Sequence, residues 1–276
     1  MKEQCLIACV ATRSCPVCCA QPHADGTTIR GHLTAKKRTG ASTLHVLSKV
    51  RAENPDAPIW RFWSLVYKEK CGVSGYVEHP FWEDLDVGPS QFLRQDLLHG
   101  AHKFFWDHPC KWIARLIGVE TLDRRISLLP KEGRCQFKNG LSKLKQASGR
   151  EHRDVQKYIA PALAQAPNVS PPFTSLIIAL LHIISILQLP MIDDHILQKL
   201  DKHLEAMYSN ADELINLGIR TNLWIPKLMA LAHFQQDIIL GGVPSNWSSE
   251  TPETLHKVLP KSLYDQTNQR NFQLQM

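Results

Sequence analysis

No stretch of this sequence is long and apolar enough to predict a membrane span. The longest apolar run, residues 173–189, is interrupted by Thr174, His182, two serines and Gln188. It falls short of the roughly 20 apolar residues a spanning helix needs, and it reads as a buried helix. A secretory leader is not expected either. The opening Met1-Lys2-Glu3-Gln4-Cys5-Leu6-Ile7-Ala8-Cys9 has the outline of a lipoprotein signal, but Glu3 spoils the positive start and the apolar run is too short. There is no internal repeat, which removes solenoids and propellers. Segments with the two-residue alternation of strands are few, so the predicted class is mainly α with few or no strands. No βαβ pattern surrounds the cysteines, which argues against thioredoxin-type chemistry.

What is present suits a globular chain. Of 276 residues, 43% are hydrophobic and 21% charged, room for one large or two ordinary domains. The formal net charge of +6 is concentrated: between Lys111 and Lys157 stand twelve Lys/Arg against five Asp/Glu. Such a cluster suits a nucleic-acid backbone, although ordinary solvated surface has the same look. Lys138, Lys143, Lys145 and Arg150 are the candidates for DNA contact without sequence preference. No small-molecule substrate is expected.

Five of the eight cysteines lie in the first nineteen residues. The chain is too large for a disulfide miniprotein, and the usage suits a reducing compartment. Cys15-Pro16-Val17-Cys18 is a C-x-x-C knuckle that can place two thiolates on one zinc ion. Two further ligands are needed, with Cys5, Cys9, Cys19, His23 and His32 as candidates. No second knuckle follows at standard spacing, so packed thiols without metal remain the alternative.

Three segments are predicted: a Cys-rich part over 1–42, a helical part over 43–240 containing the basic segment 111–157, and a C-terminal part over 241–276. Helices are predicted over 43–52, 59–70 with Trp60, Trp63 and Tyr67 on one side, 111–119, 121–129, 154–163 and 173–189. Asp193 should cap a further helix running to Ile215 and ended by Gly218. Ile225-Pro226 opens another through His233 to Ile239, and Ser248/Ser249 open a short one carrying Glu250 and Glu253.

The stretch with most chemistry is Gln95 to His108. At helical spacing Asp96, His99 and Lys103 share one face. A carboxylate and an imidazole one turn apart can share a proton or a metal, and a solvated amphipathic helix would look the same. Gly100 invites a kink.

Five stretches, in order, carry a family resemblance. They are Glu3-Gln4-Cys5-Leu6 with Arg13-Ser14-Cys15-Pro16-Val17-Cys18; His79-Pro80-Phe81-Trp82-Glu83-Asp84-Leu85; and Asp96-Leu97-Leu98-His99 with His102-Lys103. Then follow Phe137-Lys138-Asn139-Gly140 with Gly149-Arg150-Glu151-His152, and Ile225-Pro226-Lys227 with Trp247-Ser248 and Glu253-Thr254-Leu255-His256. Together they resemble the Plavaka-type transposases, CACTA-related mobile-element proteins of fungal genomes. The resemblance implies a nuclear DDE-type enzyme with an RNase H-like core, working as an oligomer. In it three carboxylates hold two Mg or Mn ions that cut and join DNA. Glu253 matches the third acid, with Glu250 its neighbour. Asp96 and His99 match the family's D-x-x-H element in the helical insertion, and Cys15 and Cys18 its C-x-x-C. The family's second aspartate precedes a Tyr-Pro-Glu-Gln run, which here would put it before Met1. The expectation is therefore the helical insertion and C-terminal helix of a truncated core: a remnant without cutting activity of its own that retains DNA binding. The alternatives are a non-catalytic interaction module, or an active transposase whose upstream acids are encoded before Met1.

Overall fold

The computed structural model describes residues 15, 17–20, 35–68, 79–85, 87–92, 94–128, 137–144, 147–164, 166–271 and 274. Among them the one pairing of extended chain is an antiparallel bridge between Cys18 and Lys37. The fold is mainly α, as the periodicity predicts.

The longest helices are α1 (Gly40–Glu53), α2 (Ile59–Lys68), α3 (Lys103–Asp107), α4 (Pro109–Ile117), α5 (Val119–Ser127), α6 (Gly149–Leu163), α7 (Pro171–Leu187), α8 (Asp194–Ala211), α9 (Pro226–Ala230), α10 (Phe234–Gly241) and α11 (Glu250–His256). The hairpin α7–α8 is the heart of the core. Ser170 caps α7 through Phe173 N at 3.3 Å, with prolines supplying its first turn. Leu176, Ile177, Leu180, Ile183, Ile184 and Leu187 are buried along it. Asp193 caps α8 as predicted, accepting from Ile196 N at 2.8 Å. Leu200, Leu204, Met207 and Ala211 then recur every three or four residues on the buried face. Each buried Leu, Ile or Met side chain of the hairpin contributes roughly 1.5–3 kcal/mol by leaving water. Phe104 and Phe105 of α3, Trp112 and Ile113 of α4, Val155 and Ile159 of α6 and Phe234 of α10 complete this core.

A second cluster joins Leu47 and Val50 of α1 to Phe62 and Val66 of α2 and to Trp82. This corrects the face predicted for α2. Trp60 is 74% exposed, while Phe62 and Val66, one turn apart, point inward. The Arg51 guanidinium lies 4.8 Å over the Phe62 ring, which fixes that orientation. The side chains of Trp63 and Tyr67 lie outside the described residues.

Helix limits also differ. α6 begins at Gly149 rather than at the predicted Asp154, capped by Ser148. The helix opened by Asp193 stops at Ala211, and a separate turn, Glu213–Asn216, leads to Gly218 at φ +64°. The helix expected from Ile225 is divided by a tighter turn, Leu231–His233, into α9 and α10. That turn carries His233 to the second of the two clusters described below. No helix among the described residues is long and apolar enough to cross a membrane.

Candidate functional site

Asp96 stands just before a π-helical turn, Leu98–His102, that contains Gly100 and leads into α3. The wide turn is where the sequence predicts a kink, and such turns recur at functional sites. The Asp96 carboxylate works as a hub. One oxygen accepts from His99 N at 2.9 Å, lies 2.5 Å from His99 Nδ1, and accepts from the Ser249 hydroxyl at 2.8 Å. The other accepts from Ser249 N at 2.7 Å. Burial pushes this carboxyl up. The donors of Ser249 and His99 outweigh that and hold it below the usual carboxylate range.

His99 is thereby aimed. Its Nε2 lies 3.0 Å from Glu253 Oε1 on α11. Asp96, His99 and Glu253, which the resemblance groups, therefore meet in one network although some 150 residues separate them. Glu250, the neighbouring acid, is engaged elsewhere: its carboxylate lies 2.5 Å from Arg153 Nη1. Lys103 does not join the Asp96 pair. It binds Asp107 at 2.9 Å.

This network edges an open cleft of about 800 Å³. Lys103, Arg150, His152, Arg153 and Lys261 bring basic groups to its lining, and Glu250 and Glu253 bring acid. Of the DNA-contact candidates, Arg150 lines the cleft. Lys138 and Lys143 are exposed on the loop 137–144, and Lys145 lies outside the described residues. Several other bases of the 111–157 segment serve the fold. Arg115 donates to Ile219 O at 2.9 Å. Arg125 donates to the carbonyls of Ala162 and Ala164 at the end of α6, at 2.9 and 2.7 Å. The charge count of the segment thus exceeds what it can offer a ligand.

The second cluster is at the knuckle. Cys19 N donates to Lys36 O at 2.8 Å and Arg38 N to Val17 O at 2.9 Å, so two short segments clip together. Arg38 Nη2 reaches the carbonyls of Cys15 and Cys18, both at 3.2 Å. Cys15 Sγ lies 3.0 Å from His233 Nε2. The ligand atoms of Cys15, Cys18 and His233 all fall within 4.8 Å of one another and are buried. Around an ion at about 2.0–2.3 Å, tetrahedral donors stand roughly 3.5–4 Å apart, so the three could hold a metal ion. Burial and the neighbouring Cys18 push the Cys15 thiol up strongly, with Cys18 the larger influence, which disfavours an uncompensated thiolate there. Of the ligands expected beside Cys15 and Cys18, Cys19 is exposed and outside the group. Cys5, Cys9, His23 and His32 lie outside the described residues. His233 is the candidate ligand that sequence reasoning missed. Its only local signal is an imidazole in the otherwise apolar Leu231-Ala232-His233-Phe234.

Fold and clusters define a helical protein with a mixed-charge cleft and a buried Cys–Cys–His group. Residues 1–113 match the family model described as Plavaka transposase, so that span is similar to Plavaka-type transposases. The span includes Cys15, Cys18, Asp96 and His99; His233, Glu253 and the DNA-contact candidates lie beyond it. No curated protein and no solved structure matches.

Proposed function

We propose that this chain is a transposase-derived DNA-binding protein of the nucleus, receiving the phosphate backbone in the cleft edged by His99 and Glu253. The observation that carries the reading is the convergence of Lys103, Arg150, Arg153 and Lys261 on one open cleft. The transposase match over residues 1–113 supports it. Cations arrayed along a groove bind phosphates by releasing counterions, without reading sequence. The chain does not cut DNA by itself in this reading. Both Asp96 oxygens are taken by Ser249 and His99, which leaves little for a divalent ion, and an imidazole is a poor ligand for magnesium.

Fluorescence anisotropy with a labelled duplex tests the reading. Affinity should fall steeply as salt rises and be the same for unrelated sequences. Changing the cleft bases Lys103, Arg150 and Lys261 together to Ala should weaken it at least about ten-fold and flatten the salt slope. An unchanged affinity would mean that the cleft is ordinary surface.

The ion at Cys15, Cys18 and His233 is zinc in this reading, because two thiolates and an imidazole suit it better than they suit harder cations. Elemental analysis should find one zinc per chain, lost in Cys15→Ser.

A further inference from the structure

We propose that the ion held by Cys15, Cys18 and His233 is a clasp that fixes the Asp96 turn, so that metal occupancy shapes the cleft. The inference rests on the zinc reading and adds what the ion does there.

The link runs through one helix. His233 is the residue immediately before α10, and Asp237 lies in that helix's first turn, one turn further on. Asp237 is 3% exposed. Its Oδ2 accepts from Gln95 N at 3.2 Å, and Arg94 approaches its Oδ1 at 3.8 Å and its backbone carbonyl at 3.3 Å. Gln95 and Arg94 lead directly into Asp96. From the other side Trp247 Nε1 donates to Gln95 O at 2.9 Å, and the Arg94 guanidinium lies 5.4 Å over the Trp247 ring. Ser249 then closes on both Asp96 oxygens. The Asp96 turn is thus gripped by α10 and by the segment entering α11. The start of α10 is seated in the main core by Phe234 and Ile238, and the His233 side chain ties it to the knuckle.

Hydrogen exchange on the full chain, zinc-loaded and zinc-stripped, decides the matter. Stripping should raise exchange at least ten-fold at residues 94–99 and 247–253 and leave the α7–α8 hairpin, taken as internal reference, within two-fold. His233→Ala should copy the stripped pattern, and His233→Cys, which restores a ligand, should recover protection on adding zinc. Zinc bound with no change at 94–99 on its removal would overturn the clasp while leaving the zinc reading intact. So would exchange rising equally over α7 and α8, because the ion would then serve the whole fold. A chain that takes up no zinc would overturn both.

Discussion

His102 is buried one turn beyond Gln95–Asp96–His99, with Nδ1 3.0 Å from Gln156 Oε1. Burial is the main reason its pKa falls from 6.5 to about 4, and burial likewise takes His108 to about 4. Both are held neutral in the fold, whereas the unfolded chain binds protons at each from about pH 6.5 downward. Stability is therefore fully present above that value and is lost as pH falls towards 4. For His102 the loss amounts to roughly 2–3 kcal/mol; half-exposed His108 adds less. Urea midpoints measured from pH 7 to pH 4 should drop accordingly, and His102→Gln should flatten the slope. A glycine gives a second prediction at this scale. Gly140 has φ +79°, and a Cβ there would stand 2.2 Å from the Asp123 carboxyl carbon. Asp123 accepts from Leu141 N at 2.7 Å and from the Ser142 hydroxyl, holding the 137–144 loop against α5. Gly140→Ala should cost at least about 1 kcal/mol in denaturant titration and loosen the loop that presents Lys138 and Lys143.

Among the helices, α8 shows what was easiest to read: its aspartyl cap, Asp193, stands before strongly periodic apolar residues. The reciprocal capping box of Ser148 and Glu151 is just as local, but the sequence reading overlooks it and starts α6 at Asp154 instead of Gly149. Caps and period are local, so they survive in the sequence. The π-helical turn at Leu98 is not local in that sense: Gly100 signals a disturbance there but not its kind. The buried face of α2 was misread because apolar groups stand on both sides of IWRFWSLVYK, and only the partner helix selects between them. Helix α11 differs from all of these in burying none of its residues. It is held by Ser249 on Asp96, by Glu253 on His99 and by Glu250 on Arg153. Such contacts are screened as salt rises. Limited proteolysis should nick 250–256 earlier in Arg153→Ala than in the parent, and the parent should approach that rate in about 1 M salt. Equal cleavage of both at low salt would show that the pair contributes nothing.

At the scale of the whole molecule, the sequence placed Asp96, His99 and Glu253 in one group only through resemblance. Nothing in spacing could show that the segment ending at Ser249 folds back on residue 96. Their shared network brings the cutting question to a direct assay. With Asp96 saturated by hydrogen bonds, supercoiled plasmid incubated with magnesium or manganese should stay intact. Nicking abolished in both Glu253→Gln and Asp96→Asn would instead establish a nuclease. His233 was out of reach for a similar reason: knuckle and histidine are paired by the tertiary fold alone.

The separation of Cys15 from His233 by 218 positions has a consequence for biogenesis. During synthesis at about 5–20 residues per second, the two thiols leave the ribosome roughly 10–40 seconds before their imidazole partner exists. Throughout that interval the two thiols stand without the imidazole, open to oxidation, and the Cys–Cys–His group closes only after residue 233 has been made.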